Sequence, residues 1–328
     1  MFFSKIRKVN IINSLNKFEY LLSYLNLFII YITMKTKLNT DLLNIIKTLQ
    51  TEKCICLLAP SFVVDYKYPD ILYDLKGIGF DKIVELTYSA KLISHKYHDE
   101  IKKSIKKKDH KQFICANCPT IITLIENKYP AHKDKLSDIA SPMVVMGRYL
   151  KKEYPKHKTI FIGPCLAKKQ EAEKNKKDIN FALTFFELAK IVNYTKKNKL
   201  FKPIKKTNNI DFDKVYNDYT KIYPLSGAVA ETMHSKSILT PEEVLVIDGP
   251  KNIDWTIKEL EKNKKIKFID ILFCKGGCIG GPGIISKDSQ QDKEDKIIKD
   301  RETCKKTAMK EHKGKFKDAK RLNLKRKK

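Results

Sequence analysis

From residue 51 onward, short apolar runs alternate with amphipathic stretches along the chain. The run KCICLL at residues 53–58 is apolar at nearly every position, and so is KTIFIG at residues 158–163. Continuous apolar runs of this length are typical of parallel strands that are covered on both faces. The amphipathic stretches between such runs have the periodicity of helices. The alternation therefore predicts repeated β–α units and an α/β fold with parallel sheets.

The pattern predicts seven strands and the helices that connect them. Because the strand–helix rhythm restarts near Lys158, we expect two similar parallel-sheet halves, about residues 51–155 and 156–285, with a metal site in the cleft between them. The strands are predicted at residues 53–58, 81–87, 112–115, 158–163, 178–184, 243–249 and 267–273, and the helices around residues 70–79, 89–107, 120–129, 140–155, 164–173, 184–194 and 252–263.

Three segments stand outside this rhythm. Residues 1–50 are expected to be an N-terminal extension whose first 33 residues are a mis-assigned start or a loose helix. The apolar stretch at residues 20–34 is shorter than the ~20 residues of a spanning helix, so membrane association is not expected. Residues 196–222 are predicted to form a polar surface loop. Residues 286–328 are predicted to be a basic charged tail, partly helical, without a face that joins the core.

The composition fits an intracellular globular protein. Hydrophobic residues make up 42% of the chain, which excludes wholesale disorder. A net charge of +28 suggests nucleic acid at first, yet only five of the 66 basic residues are arginine. Surfaces that bind phosphates or bases rely on the planar fork of arginine, so a nucleic-acid partner is not expected. Eight cysteines are too few for a disulfide scaffold and are consistent with the cytoplasm.

Three cysteines occupy equivalent places at the carboxyl ends of predicted strands. Cys118 follows QFICAN, Cys165 follows TIFIGP and Cys274 follows FIDILF, with Cys278 four residues further on. Ligands bind at the carboxyl ends of strands in open α/β sheets, so we expect these thiols to meet in one cavity. Four thiolates can hold a zinc ion or a cubane cluster.

Three of the remaining cysteines are not expected to be ligands. Cys54 and Cys56 are predicted to be core thiols of a strand, and Cys304 is predicted to be a free surface thiol. Whether Cys115 is a ligand stays open, because it is close enough to Cys118 to substitute for a neighbouring ligand.

The spacing of the four thiols favours a cluster over a single ion. They are separated by 47, 109 and 4 residues, whereas zinc ribbons pair two CxxC knuckles within a few tens of residues. Residues 276–283 contain five glycines in eight positions, including Gly277 beside Cys278. Glycine lets the backbone approach closely, and the sulfides of a cluster need nearby N–H donors. A zinc-stabilised protein remains the alternative.

Three motifs then resemble those of the [FeFe]-hydrogenase large subunit, specifically its cluster-binding C-terminal domain. They are ANCP at residues 116–119, PCLAKKQE at residues 164–171 and DILFCKGGCIGGPG at residues 270–283. The sequence APSF at residues 59–62 also resembles a family loop near the metal site. The resemblance covers roughly residues 50–285.

The resemblance implies a [4Fe–4S] cluster joined through one cysteine to a diiron subsite. Carried over to this sequence, Cys118, Cys165, Cys274 and Cys278 would hold the cubane, and Cys278 would bridge to the diiron unit. Lys168 would donate a hydrogen bond to a cyanide ligand of that unit. Pro60, Ser61 and Gly277 would line the site, and Asp270 would stand in the proton path.

The sequence also departs from the family pattern. Asn117 stands where active hydrogenases have a cysteine that relays protons, and an amide cannot titrate. Asp270 is shorter than the usual glutamate, and Leu272 replaces a methionine. No ferredoxin-type cysteine run supplies electrons, so a ferredoxin-like carrier or partner subunit is expected, steered by exposed lysines that include those from Lys305 onward. We therefore expect hydrogen turnover to be absent or slow, and a non-catalytic iron–sulfur sensor or cluster-handling protein is the alternative.

Overall fold

The computed structural model describes residues 38–109, 111–205, 210–213, 219–306 and 322–327. The apolar stretch at residues 20–34 lies outside them, as do most of the lysines expected beyond Lys305. Within the described residues, no helix is long and apolar enough to cross a membrane.

Two parallel sheets form the centre of the molecule. One sheet has four strands in the order β2-β1-β4-β5, and the other has three strands in the order β3-β7-β6. The strands are β1 (Cys54–Leu58), β2 (Lys82–Glu85), β3 (Phe113–Ile114), β4 (Lys158–Gly163), β5 (Phe181–Thr184), β6 (Val244–Asp248) and β7 (Phe268–Leu272). The predicted α/β fold with parallel sheets is confirmed.

Helices cover these sheets, and the predicted ones lie where the pattern placed them. They are α1 (Thr40–Thr51), α2 (Asp70–Gly77), α3 (Thr87–Lys107), α4 (Pro119–Lys128), α5 (Pro142–Glu153), α6 (Ala167–Lys174), α7 (Phe185–Lys197), α8 (Ala228–Thr232), α9 (Ile253–Lys262) and α10 (Gln290–Lys306). Because helices lie on both faces, all residues of β1 and of β7 are buried, which explains why these strands are apolar except at Asp270 of β7.

The expectation that the two sheets divide the chain near residue 155 is wrong. The four-stranded sheet pairs β1 and β2 with β4 and β5, and the three-stranded sheet pairs β3 with β6 and β7. Each sheet therefore takes strands from both sides of that point. A repeated strand–helix rhythm indicates β–α units but does not say which strands become neighbours.

Two of the polar segments also contribute more to the core than expected. In the 196–222 insertion, Lys221 is only 3% exposed because it pairs with the fully buried Glu85 at 2.9 Å. In the region after residue 286, Ile297 of α10 is 1% exposed and packs with Val64 and Ile279. The prediction of a surface loop is therefore wrong at Lys221, whose burial is offset by its ion pair. The prediction of a tail without a core-joining face is wrong at Ile297, whose apolar side chain packs in the core.

Candidate metal centre

The four predicted ligand cysteines lie at the carboxyl ends of strands from both sheets. Cys118 follows β3 and precedes the first turn of α4, and Cys165 lies between β4 and α6. Cys274 and Cys278 follow β7. All four side chains are partly exposed. The geometry of parallel strands thus brings segments far apart in sequence to one edge of the fold, as the sequence predicts.

The thiols lie close enough to one another to interact electrostatically. Burial raises the pKa of Cys165 to about 11, and the neighbouring Cys118 raises it further. Burial raises the pKa of Cys278 to about 12, with additional contributions from Cys165 and Cys118. The pKa of Cys274 lies well above its usual value, from burial and then from the other three thiols. The thiols predicted to act together are therefore brought together.

The thiols are not arranged as the ligands of one small ion. Within the part of the chain that the structure describes, no three or more His, Cys, Asp or Glu side chains are grouped so as to hold a single metal ion. A cubane has four iron atoms and distributes its thiolates over them, whereas zinc gathers its ligands about 2.3 Å from one centre.

Glycines shape the loop that carries Cys278. Gly277 has φ 89° and ψ −159°, and a Cβ atom built there would lie 2.4 Å from the carbonyl oxygen of Pro224. That same carbonyl accepts the backbone N–H of Cys278 at 2.7 Å. The N–H of Gly283 donates to the carbonyl of Pro164 at 2.8 Å, which fixes the loop beside Cys165. The glycines permit these close backbone approaches.

Lys168 lies inside the site and is not an exposed helix lysine. Its side chain is 12% exposed, and its Nζ donates to the carboxylate of Glu171 at 2.6 Å and to the carbonyl of Asn117 at 3.2 Å. Its positive charge lowers the pKa values of Cys165 and Cys278, against the larger effect of burial. Lys168 is therefore a cation placed to stabilise negative sulfur.

Asn117 presents an amide that lacks a hydrogen-bond partner. Neither its Nδ2 nor its Oδ1 makes a hydrogen bond of normal geometry, although both atoms are buried. The amide lies near enough to the Tyr223 hydroxyl to lower the pKa of that group, whose overall shift is upward because of burial. Tyr223 was not predicted. It precedes the turn sequence Pro-Leu-Ser-Gly, and a turn sequence does not indicate which side chains from distant segments lie beside it.

Asp270 is a buried carboxyl beneath the thiols. Its side chain accepts the backbone N–H of Ala230 at 2.9 Å through Oδ2, while Oδ1 has no partner. Burial raises the pKa of Asp270 to about 6 in spite of the backbone donors. The carboxylate in turn raises the pKa values of Cys278 and Cys115. Asp270 is therefore near the site, and its carboxylate is held by the backbone of α8.

Cys115 belongs to the strand layer under the site. It is fully buried, and its backbone N–H donates to the carbonyl of Ile269 on the neighbouring strand. Its thiol interacts with the hydroxyl of Tyr97, and burial raises its pKa. Cys304 on α10 is half-buried beside Lys221, so the prediction of a surface thiol is wrong.

Pro60 and Ser61 lie in the turn Pro60–Val64 that follows β1. This turn contacts the turn Cys278–Gly280. The Ser61 hydroxyl is fully buried and has no partner. The loop predicted from its APSF sequence thus lies next to the cysteine loop.

These residues fit an iron–sulfur group on two counts. Neighbouring thiols raise the pKa values of Cys165 and Cys278, Lys168 offsets part of the charge of these thiols as thiolates, and iron would supply further positive charge. Buried polar atoms rarely lack partners in folded proteins, and Ser61, Asn117 and Asp270 leave four such atoms around the thiols.

Comparison with known proteins gives a consistent assignment. The family model described as iron only hydrogenase large subunit, C-terminal domain, matches residues 52–282. The chain is 24% identical to Iron hydrogenase 1 of Clostridium pasteurianum over 257 residues, which is 64% of this chain and 44% of that protein. It is 22% identical to the NADP-reducing hydrogenase subunit HndD of Solidesulfovibrio fructosivorans over 263 residues, with the same coverage. The chain thus spans less than half the length of these relatives.

A solved structure shares the fold. The [FeFe]-hydrogenase HydA1 from Chlamydomonas reinhardtii superimposes with a TM-score of 0.59, covering 80% of this chain and 88% of that one. At 14% sequence identity this likeness shows the fold alone.

Proposed function

Because the chain belongs to the iron-only hydrogenase large subunit family, matching its C-terminal domain, we propose that it is an iron–sulfur redox protein with absent or slow hydrogen turnover. Cys118, Cys165, Cys274 and Cys278 would hold a [4Fe–4S] cluster. A diiron subsite, where one is supplied, would join through Cys278. The cluster would store and release single electrons.

The observation that carries the proposal is the convergence of four thiols with one buried cation. The thiols come from three strand ends. Neighbouring thiols raise the pKa values of Cys165, Cys274 and Cys278, and Lys168 lowers those of Cys165 and Cys278. A purely structural thiol has no use for a buried ammonium. A site that must hold thiolates does, because the ammonium favours the charged form of sulfur.

The chain's own residues would orient and insulate the site. Lys168 is fixed by Glu171 and by the Asn117 carbonyl, so its charge stays beside Cys165 and Cys278. The glycine loop would hold Cys278 in place through backbone hydrogen bonds, from the Cys278 N–H to the Pro224 carbonyl and from the Gly283 N–H to the Pro164 carbonyl.

Proton movement is the weak point of this site as a catalyst. Asn117 cannot titrate, and the Oδ1 atom of Asp270 has no hydrogen-bond partner. A well-placed acid–base group is typically worth ~10²–10⁴-fold in rate, so turnover is expected to be slower than in ordinary hydrogenases by about that factor. Because the Asn117 amide cannot titrate, this position favours the second candidate, a non-catalytic iron–sulfur sensor or cluster-handling protein.

Electrons would come from a ferredoxin-like carrier or a partner subunit. Lys275, between Cys274 and the glycines, is exposed, and it lies close to the segment that carries the exposed Lys251. With a net charge of +28, the protein would attract an acidic carrier over a distance. Any electron transfer should therefore slow as salt shortens the Debye length to ~8 Å.

The decisive experiment is anaerobic reconstitution with iron and sulfide. We expect a brown protein with about four iron atoms per chain and the electron paramagnetic resonance signal of a reduced [4Fe–4S] cluster. A colourless protein that binds one zinc ion would overturn both the redox and the sensor proposals.

The two iron–sulfur candidates are separated by Asn117→Cys. With the diiron unit supplied, a gain in hydrogen evolution toward ordinary rates would show that the missing relay blocks an otherwise competent site. No gain at full cluster loading would favour a sensor or a cluster-handling role. Wild-type rates equal to those of ordinary hydrogenases would contradict the expectation of slow turnover.

A further inference from the structure

Residues 322–327, which we name the distal segment, lie beyond the part of the chain that matches the family model. The side chains alternate between half-buried and exposed along the segment, which is the period of an extended strand. Leu322 and Leu324 pack on the main core, and Lys325 forms an antiparallel bridge with Ile139. The N–H of Ala140 donates to the carbonyl of Leu324 at 2.8 Å.

Two arginines connect the distal segment to the rest of the protein. Nη1 of Arg148 on α5 donates to the carbonyls of Asn323 at 2.7 Å and Lys325 at 2.8 Å, while its Nε pairs with Asp178. Nη1 of Arg326 donates to the carboxylate of Glu126 at 2.8 Å. A planar guanidinium can serve several acceptors at once, which an ammonium does less well.

The choice of arginine is informative in a chain dominated by lysine. Three of the five arginines lie in the described residues, and each of them joins the region after residue 286 to the rest of the protein. Arg148 and Arg326 fasten the distal segment, and Arg301 of α10 pairs with Glu231 at 3.1 Å.

The helices that receive the distal segment are those that begin directly after two candidate ligands. Glu126 lies on α4, whose first turn follows Cys118. The carbonyl of Lys174, the last residue of α6, accepts Nζ of Lys327 at 3.2 Å, and α6 begins two residues after Cys165. The two helices also contact each other. The segment therefore connects the far ends of two short helices, about 15 Å and about 12 Å long, that start at the site.

We propose that the distal segment is a positioning element that holds Cys118 and Cys165 at the separation a cluster needs. Cys274 and Cys278 are held from the other side by the glycine loop and do not depend on this brace. The link to a cluster rests on the proposed function, whereas the effect on the two thiols does not.

The first test therefore uses the metal-free protein. In Arg326→Gln, we expect Cys118 and Cys165 to react roughly tenfold faster with iodoacetamide, which is about the loss of one charge-assisted hydrogen bond, while the rates of Cys274 and Cys278 stay the same. Arg326→Lys should restore part of the difference because it keeps the charge. Peptide mass mapping measures each thiol separately.

The matched control is Lys176→Gln, which removes an ion pair with Glu173 in which both side chains are 65% exposed. It changes the charge next to α6 without touching the distal segment, and it should leave all four rates unchanged. Equal acceleration of all four thiols in Arg326→Gln would mean general loosening and would overturn the proposal, as would no acceleration.

The second test uses the reconstituted protein. Arg326→Gln and Arg148→Lys should release iron to a chelator several-fold faster than the wild type at the same cluster content. If the wild type takes up no iron, the proposed function fails, and the alkylation rates still decide whether the brace exists. Unchanged iron release together with faster alkylation would limit the brace to the metal-free protein and contradict its part in holding a cluster.

Discussion

The thiols of β1 and the thiols of the candidate centre are buried by the same fold but stand in different surroundings. Burial raises the pKa of Cys54 to about 12 and that of Cys56 well above its usual value, much as it does for Cys278. In the centre, neighbouring thiols also raise the pKa values of Cys165 and Cys278, and the nearby cation, Lys168, is only 12% exposed. The lysines that lower the pKa values of Cys54 and Cys56 are more exposed. Burial alone therefore does not identify a ligand cysteine. The convergence of several thiols beside a largely buried lysine distinguishes the candidate centre from β1.

The position of each set within its strand explains this difference. Cys54 and Cys56 lie within β1, where Cys56 is in register with Ile83 of β2 and Ile160 of β4, and Cys54 with Lys158 of β4. Their side chains fill the core between helices. The thiols of the centre lie one or more residues beyond a strand end, where the chain turns and side chains from several strands can face one another.

The largest difference expected between the two sets of cysteines is in iron binding. Serine in place of Cys118, Cys165, Cys274 or Cys278 should abolish most iron binding on reconstitution, because a hydroxyl does not replace a thiolate ligand. Alanine in place of Cys54 or Cys56 should keep the iron and lower the free energy of unfolding by about 1–2 kcal/mol through lost packing. Iron analysis and urea unfolding measure the two outcomes.

The comparison fails if both sets of variants lose iron equally. That result would mean that the strand thiols are ligands or that the fold depends on every cysteine. The free energies of unfolding distinguish these causes, since only the second predicts a collapse of stability in all variants.

A second, smaller effect concerns the backbone beside Cys278. Gly277→Ala should impair iron uptake strongly and destabilise the protein by more than about 2 kcal/mol, because φ is 89° and the new Cβ would meet the Pro224 carbonyl at 2.4 Å. Gly249→Ala is a matched control with φ 85°, where a Cβ meets nothing closer than 3.8 Å. It should cost strain energy and leave iron uptake intact. Equal uptake in both variants would show that close approach at Gly277 is not needed.

Much of the centre could be predicted because strand ends are a local feature of the sequence. The apolar runs before Cys118, Cys165 and Cys274 locate three thiols at one edge of parallel sheets without any knowledge of which strands pair. The role expected for Lys168 came from a motif, and its burial beside Glu171 agrees with that role. The ligand assignment itself remains a prediction.

What could not be predicted depends on contacts between distant segments. The order of strands mixes the two expected halves, and no local pattern encodes that order. Lys221 looks exposed in a lysine-rich insertion, yet Glu85, 136 residues away, offsets the cost of its burial. The distal segment is likewise defined by its contacts with Arg148 and Glu126, which lie 175 to 200 residues away in sequence.

Asp270 provides a further test beside the centre, since its carboxylate raises the pKa of Cys278 in the centre and of the buried Cys115 just beyond β3. Burial raises its own pKa from 3.8 to about 6, so the folded protein binds this proton more tightly than the unfolded chain. The stability it contributes is present below about pH 4 and is lost as pH rises through 6. The loss is on the order of 2–3 kcal/mol.

The measurement is urea unfolding of the metal-free protein between pH 4 and 7.5. The wild type should lose stability relative to Asp270→Asn as pH rises, because the other carboxyl groups are common to both proteins and cancel in the difference. A flat difference across this range would show that Asp270 titrates in the folded protein as it does in the unfolded chain.

The smallest expected effect concerns the charge that separates the two sets of thiols. In metal-free Lys168→Gln, the pKa values of Cys165 and Cys278 should rise because the nearby cation is lost. The thiolate fraction at a fixed pH near 9, and with it the alkylation rate, should fall by up to about tenfold. Glu171→Gln keeps Lys168 and removes its carboxylate partner, so its rates should equal or exceed those of the wild type. If Lys168→Gln left the alkylation rates of Cys165 and Cys278 unchanged, the Lys168 ammonium would not stabilise their thiolates. The proximity of the thiols to one another would then be the feature that distinguishes the centre from β1.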